Sequence, residues 1–283
     1  MIPAAFDYVT PSTVDDAVRE LHDAGEDAKI LAGGQSLLPV LRMRLAAPSK
    51  VIDLGRISEL RGVREDGDQL VIGAMTAHHD VQRDPLVREH ALLLALATET
   101  VADPQVRHRG TFGGALAHAD PAGDLLAPAL AMDCTFVVAG MDGRHDVPAS
   151  EFFVDYFTTA LRPGELLLEV KVPKFTGWHA HYEKFNRVAQ AWSICGVAAT
   201  VRVDGGAIAE ARVGLTNMSS VPVRAGAVER ALVGQQASAD VIKAAAGHAL
   251  DGTLATTDGS ADAEYREHLA KVLTERAVAA ACG

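Results

Sequence analysis

Apolar positions follow a helical period near the start of the chain and form short runs immediately after it. Four apolar residues at i, i+3, i+4 and i+7 predict a helix over residues 14–21, with Ser12 or Thr13 as its cap. Apolar runs at residues 29–32 and 51–54 predict two short strands, and a glycine pair followed by a helical pattern lies between them. This order of elements indicates a small β-α-β unit.

The middle of the chain mixes a hairpin pattern with helical ones. Two alternating runs, residues 61–64 and 69–72, flank an acidic turn with glycine and predict an antiparallel hairpin. Thr76 is predicted to cap a helix, residues 86–102 to form one long helix that ends in a loop, and residues 120–132 to form another helix. Further strands are predicted at residues 135–139, 166–172 and 180–185.

The last third has a simpler pattern. Residues 194–203 and 208–215 predict a second hairpin. Helices are predicted at about residues 224–234, 237–250 and 261–280. With a boundary near residue 176, the chain divides into parts at residues 1–57, 58–176 and 177–283. With helices and an at least partly antiparallel sheet, the expected fold class is α+β.

Charge and cysteine content exclude several classes of partner and cofactor. The 283 residues carry 26 Lys and Arg against 37 Asp and Glu, a net charge of −11, which argues against nucleic acid as a partner. Cys134, Cys195 and Cys282 lie far apart, so they support neither a disulfide framework nor a zinc site, and they are too few for an iron-sulfur cluster. A signal peptide or membrane span is not expected, which predicts a cytoplasmic protein.

Two glycine pairs are the strongest chemical feature of the sequence. We call residues 31–38 the first glycine segment and residues 110–114 the second glycine segment. Glycine permits positive φ and close approach of the backbone to a ligand, so successive N–H groups can converge on an anion. In the first segment, Ser36 adds a hydroxyl at a helix start. Each pair alone is typical of an ordinary tight turn, but two together predict a pyrophosphate site that is neither a Walker loop nor G-x-G-x-x-G.

Longer stretches around these pairs carry a family resemblance. They are residues 29–39, 71–77, 104–127, 163–173 and 182–184, including the sequences KILAGGQSLLP and GTFGGALAHADPAGD. In order and spacing they resemble the FAD-binding medium subunits of molybdenum hydroxylases, and within that family the carbon monoxide dehydrogenase group. The resemblance implies a two-part FAD-binding domain of the PCMH or vanillyl-alcohol-oxidase-like type, followed by a C-terminal α+β domain with a small antiparallel sheet.

The resemblance also implies which residues would contact FAD. Backbone amides that would wrap the diphosphate belong to Leu31, Ala32, Gly33, Gly34, Gln35, Ser36, Leu37 and Leu38. Residues that would face them, or contact other parts of the cofactor, are Thr76, Thr111, Gly113, Gly114, Asp124, Leu167 and Lys184. Asp124 would accept hydrogen bonds from cofactor hydroxyls, Leu167 would place backbone against the adenine or flavin edge, and Lys184 would lie near the flavin ring or ribityl chain.

Other residues with reactive or ligand-forming side chains have simpler interpretations. Trp192 either covers a flavin face or packs in the core. His78 and His79 are expected to be solvated loop residues, and no metal site is predicted. Because no attachment residue stands at the matched positions, FAD is expected to bind without a covalent bond. We assign no catalytic acid, base or nucleophile.

The implied function is electron transfer within a larger enzyme. In the family, substrate is oxidised at the molybdenum cofactor of a large subunit, electrons cross [2Fe-2S] clusters of a small subunit, and FAD passes them to a quinone or other acceptor. The expected assembly is a dimer of heterotrimers, in the cytoplasm or at the inner face of the membrane. Alternatives are the flavin subunit of a nicotine, quinoline or xanthine-type hydroxylase, a stand-alone flavin oxidoreductase, or a nucleotide-binding protein without enzymatic activity.

Overall fold

The computed structural model describes residues 2–283. The strands are β1 Asp7–Val9, β2 Ala28–Leu31, β3 Lys50–Asp53, β4 Val63–Asp66, β5 Gln69–Gly73, β6 Thr135–Gly140, β7 Gly143–Pro148, β8 Phe153–Asp155, β9 Thr158–Thr159, β10 Leu166–Pro173, β11 His179–Phe185, β12 Cys195–Asp204, β13 Ala207–Thr216 and β14 Val223–Arg224. The helices are α1 Val14–Ala24, α2 Leu37–Arg42, α3 His78–Val81, α4 Pro85–His90, α5 Leu92–Glu99, α6 Pro104–Arg109, α7 Phe112–His118, α8 Leu126–Ala131, α9 Ala149–Phe152, α10 Gly226–Leu232, α11 Ala239–Ala246 and α12 Ala263–Cys282. No helix in this range is long and apolar enough to cross a membrane.

The N-terminal part is a small parallel sheet in the order β1-β3-β2, with α1 packed against it. Thr13 caps α1 by accepting a hydrogen bond from the Asp16 N–H at 3.1 Å. Ile52, on the central strand, is fully buried beneath Val18 and Leu21 of the helix. The predicted β-α-β unit is confirmed. Strand β1 was not predicted, because three residues are too few to show the two-residue period of a strand.

The middle part is built on an antiparallel sheet in the order β4-β5-β10-β6-β7. The predicted first hairpin is confirmed, since β4 and β5 pair in antiparallel register. Short helices cover this sheet and bury a core that includes the aromatic rings of Phe112, Phe136 and Phe152.

The C-terminal part contains a four-stranded sheet in the order β11-β12-β13-β14, with α10, α11 and α12 as the three predicted helices. Successive side chains of a strand point to opposite faces of a sheet. Tyr182 and Ala198 accordingly pack into the core of the middle part, whereas Val197 and Phe185 pack against the C-terminal helices. The sheet therefore separates two cores, and Lys184 shares the strand face of Tyr182.

The middle of the chain departs from the predicted helices in two places. The helix predicted over residues 86–102 is divided at Ala91, whose φ of −142° and ψ of 44° are not helical. The helix predicted from residue 120 begins only at Leu126, because Asp120 accepts hydrogen bonds from the backbone N–H groups of Ala122 and Gly123 in a turn. Tertiary packing outweighed helix propensity at Ala91, and a local turn outweighed it at Asp120. Propensity is a weak determinant over such short stretches.

The loop predicted before the second glycine segment is wrong. Asp103 accepts from the N–H of Val106 at 2.8 Å and caps α6, in which Pro104 occupies the first turn. Thr111 caps α7 in the same way, so Gly113 and Gly114 lie in the first turn of a helix rather than in a turn between elements. An Asp-Pro pair is a signal for the start of a helix as well as for a stop.

Candidate functional site

The fold brings the two glycine segments side by side. A Cβ atom on Gly33 would lie 2.3 Å from the carbonyl oxygen of Arg109 and 2.7 Å from the Cα of Gly110. A Cβ on Gly114 would lie 3.3 Å from the Cβ of Ala32. Only glycine permits this approach at residue 33, so the pair serves contact between segments that are distant in sequence.

The first glycine segment exposes a run of backbone donors. Gly34 has a φ of +76°, and its carbonyl accepts from the N–H of Leu38 at 3.0 Å. Among residues 2–283, the N–H groups of Gly33, Gly34, Gln35 and Ser36 donate to no protein acceptor. The Ser36 hydroxyl makes no capping bond and is also available. Such a run of free N–H groups suits a phosphate or diphosphate.

The second glycine segment has different hydrogen bonding. The N–H of Gly113 donates to the carbonyl of Ala74 at 2.9 Å, and the N–H of Gly114 donates to the Thr111 hydroxyl at 3.2 Å. Both glycine donors are therefore used inside the protein. The segment contributes close packing, since a Cβ on Gly113 would lie 2.4 Å from that of Ala74. Its role opposite the diphosphate stays a prediction.

Asp124 and Lys184 form a buried ion pair between the middle and C-terminal parts. Lys184 Nζ lies 2.7 Å from Asp124 Oδ2, and it also donates to the carbonyl of Thr100 at 3.0 Å. Asp124 Oδ1 accepts from the hydroxyls of Tyr182 at 3.0 Å and Ser193 at 2.6 Å. Burial raises the pKa of the Asp124 carboxyl, and the Lys184 ammonium opposes that shift. Both carboxylate oxygens thus have protein donors, and the predicted contact with cofactor hydroxyls remains a prediction.

Thr76 contacts the second glycine segment, since its carbonyl accepts from the N–H of Phe112 at 2.9 Å. The hydroxyl of Thr76 accepts from the N–H of Gly62 at 2.9 Å and donates to the carbonyl of the same residue at 3.1 Å. The predicted capping role of Thr76 is therefore wrong, because α3 begins two residues later, after Ala77. Leu167 is buried at an irregularity in the pairing of β10 with β6. Thr76 thus borders the second glycine segment, whereas contact of Leu167 with the cofactor stays a prediction.

The neighbourhood of the site contains residues that sequence patterns misplace or miss. His78 is buried, not solvated, and burial lowers its pKa to about 4. Ser193 donates to Asp124, although no sequence motif marks it as a site residue. The only feature that could have drawn attention to it is its position next to Trp192. Trp192 is 55% exposed, so its alternative interpretation as a core residue is wrong.

The described side chains form neither a metal-binding cluster nor an activated thiol. Among residues 2–283, no group of three or more His, Cys, Asp or Glu side chains is placed to hold a metal ion. Burial raises the pKa of the Cys195 thiol to about 12 and that of Cys134 even further, so neither is poised as a nucleophile.

Comparison with known proteins identifies the family. Residues 4–175 match the family described as "FAD binding domain in molybdopterin dehydrogenase", and residues 180–281 match the "CO dehydrogenase flavoprotein C-terminal domain". The chain belongs to this family of FAD-binding medium subunits. Its domain is thus an FAD-binding one, and the first glycine segment, with its free N–H groups, fits the diphosphate of that cofactor.

Individual relatives of this medium subunit match over nearly the whole chain. It is 40% identical to the carbon monoxide dehydrogenase medium chain of Hydrogenophaga pseudoflava, over 99% of this chain and 98% of that one. It is 36% identical to the 6-hydroxypseudooxynicotine dehydrogenase complex subunit alpha of Paenarthrobacter nicotinovorans, over 99% and 96% of the two chains. A solved structure of carbon monoxide dehydrogenase from Hydrogenophaga pseudoflava superposes with a TM-score of 0.96, covering 99% of this chain and 98% of that chain at 42% identity. The predicted two-domain fold and family are confirmed.

Proposed function

We propose that this chain is the FAD-carrying electron-transfer subunit of a molybdenum-containing hydroxylase, most closely an aerobic carbon monoxide dehydrogenase. The observation that carries the proposal is the run of free N–H groups from Gly33 to Ser36, packed against Arg109 and Gly110 in a chain of this family. When bound, FAD supplies the capacity to accept electrons singly and to release them in pairs.

The residues of the chain hold and orient the cofactor. Backbone of the first glycine segment would bind the diphosphate, while Thr111, Gly113 and Gly114 would close the opposite side. Thr76 and Leu167 would border the cofactor from the middle sheet. Because the Asp124 network restrains Lys184, the ammonium would lie at a constant position beside the flavin or ribityl chain. We propose non-covalent binding, since the first glycine segment offers hydrogen-bond donors and no histidine or cysteine.

Substrate oxidation would take place outside this chain. We propose a large subunit with the molybdenum cofactor and a small subunit with [2Fe-2S] clusters as partners, assembled as a dimer of heterotrimers. The three cysteines support this division, because an iron-sulfur cluster held by thiolates needs four. A quinone or another external acceptor would take the electrons, in the cytoplasm or at the inner membrane face. We propose functional parts at residues 1–57, 58–176 and 177–283.

A second candidate is the flavin subunit of a heteroaromatic hydroxylase. The 36% identity to a subunit of the 6-hydroxypseudooxynicotine dehydrogenase complex, over 99% of this chain, favours it specifically. The substrate would then be chosen by a partner subunit, so both candidates share the same site in this chain.

Purification of the native complex tests both candidates. We expect flavin absorption, molybdenum and iron in one particle with this chain, and reduction of an artificial dye by carbon monoxide. Dye reduction by nicotine or quinoline derivatives alone would support the second candidate. A native preparation that contains neither flavin nor these metals would overturn the proposal.

A further inference from the structure

Unpartnered polar atoms gather at the contact between α3 and α6. Of six buried side-chain atoms without a hydrogen-bond partner among residues 2–283, three lie here: His78 Nδ1, Gln82 Oε1 and Arg107 Nε. Buried polar atoms in folded proteins are nearly always paired, either within the protein or with an ordered water. Three such atoms on two adjacent helices therefore point to ordered water at this contact.

The three residues belong to two neighbouring helices. The N–H of Gln82 donates to the carbonyl of His78 at 3.0 Å, so these two residues are one helical turn apart. The rings of His79 and His108 stack with their centroids 3.8 Å apart, which places α3 directly beside α6. Besides burial, the positive charge of Arg107 lowers the pKa of His78.

The hydrogen-bonding capacities of the three atoms complement those of water. Arginine Nε can only donate, the glutamine carbonyl oxygen can only accept, and a neutral histidine nitrogen can do either. The Nη1 of Arg107 is already used, since it donates to the carbonyl of Val101 at 2.9 Å. A water molecule can accept from the arginine and donate to the glutamine while it bonds the imidazole.

We propose that His78, Gln82 and Arg107 bind one ordered water molecule, and that this hydrated contact positions the Arg109–Gly110 backbone of the cofactor site. The N–H of His78 donates to the carbonyl of Gly110 at 2.9 Å, and its ring would lie 2.8 Å from a Cβ on that glycine. Arg109 and Gly110 in turn contact Gly33. His78, Gln82 and Arg107 are thus positioning residues that need not contact FAD themselves, and their role rests on the proposed function.

A structure at a resolution that resolves ordered water tests the binding site directly. In crystals of the native complex we expect one water within about 2.7 to 3.2 Å of all three atoms. A dry contact, or a direct bond between Arg107 Nε and Gln82 Oε1, would overturn the proposal.

Variants of the complex test the positioning role. Gln82→Met removes the acceptor at similar volume, and we expect FAD to dissociate about fivefold faster, as for the loss of one buried hydrogen bond. Gln82→Glu retains an acceptor for the water molecule and should keep dissociation within about twofold of the wild type. The matched control is Gln105→Met, on the exposed surface of α6.

The outcomes separate this proposal from the proposed function. If the wild-type complex carries FAD and Gln82→Met releases it no faster than Gln105→Met, the positioning role is wrong and the proposed function is unaffected. If Gln82→Met lowers thermal stability yet leaves FAD dissociation unchanged, the contact is structural only and the positioning role is again wrong. Absence of FAD from the wild-type complex would instead contradict the proposed function.

Discussion

Lys184 and Asp124, 60 residues apart in the chain, form an ion pair of 2.7 Å in which the side chains are only 7% and 4% exposed. Lys184 comes from β11 of the C-terminal sheet, and Asp124 precedes α8 of the middle part. The pair therefore joins the two domains at the point where the family resemblance predicts the flavin.

Removing the lysine should destabilise the fold strongly. Lys184→Met would leave the Asp124 carboxylate buried without its cation, which costs about 3 to 5 kcal/mol in comparable pairs. The free energy of unfolding, measured by denaturant titration of the flavin-free chain, checks this. The control is Lys171→Met, because Lys171 and Asp146 pair at 2.6 Å with 27% and 48% exposure, where a loss below about 1 kcal/mol is expected. Equal losses in the two variants would contradict the prediction.

A methyl group on Gly33 should impair cofactor binding. In Gly33→Ala, the new Cβ would meet the Arg109 carbonyl oxygen at 2.3 Å, so the two glycine segments must move apart. Overpacking of this kind costs about 1 to 3 kcal/mol, and we expect FAD affinity to fall roughly tenfold or more in reconstitution titrations. Gly259→Ala is the control, since nothing lies within 4 Å of its Cβ position. Unchanged affinity in Gly33→Ala would show that the contact is irrelevant to the cofactor.

The cap of α7 should contribute both to the stability of the fold and to retention of FAD. Thr111→Val removes the acceptor for the Gly114 N–H at 3.2 Å, and loss of such a cap costs about 1 kcal/mol of unfolding free energy. Because Thr111 lies in the second glycine segment, FAD retention after gel filtration should fall as well. Thr13→Val removes the equivalent bond at 3.1 Å from α1, and it should lower stability without affecting retention. Identical flavin content in the two variants would argue against a role for this cap in binding.

His78 should make the protein less stable in acid. Its pKa is lowered from 6.5 to about 4 by burial and by Arg107, so the unfolded chain binds the proton more readily than the folded one. The contribution of neutral His78 to the free energy of unfolding is fully present above pH 6.5. It falls as the pH decreases toward about 4, by about 3 kcal/mol in total. We expect the difference in unfolding free energy between wild type and His78→Gln to change over this interval. A constant difference across it would contradict the lowered pKa.

Local patterns account for much of the fold. The β-α-β unit, both predicted hairpins and the three C-terminal helices follow from periods of two or 3.6 residues and from turn residues between them. The single helix predicted over residues 86–102 is interrupted at Ala91. Packing of two short helices into one core outweighed the helix propensity of its alanine and leucine residues. The second glycine segment was misplaced in a loop because its Thr111 cap was not recognised as a helix start.

The sequence by itself determined the family, the FAD-binding class and the first glycine segment, since these depend on residue types at short spacings along the chain. Only the tertiary structure decided that Gly33 packs on Arg109, that Lys184 pairs with Asp124, and that His78 is buried. Each of these contacts joins residues that are distant in sequence, and its geometry depends on how sheets and helices pack. A one-dimensional pattern specifies which face of an element is apolar, but it does not specify which buried charge meets which partner.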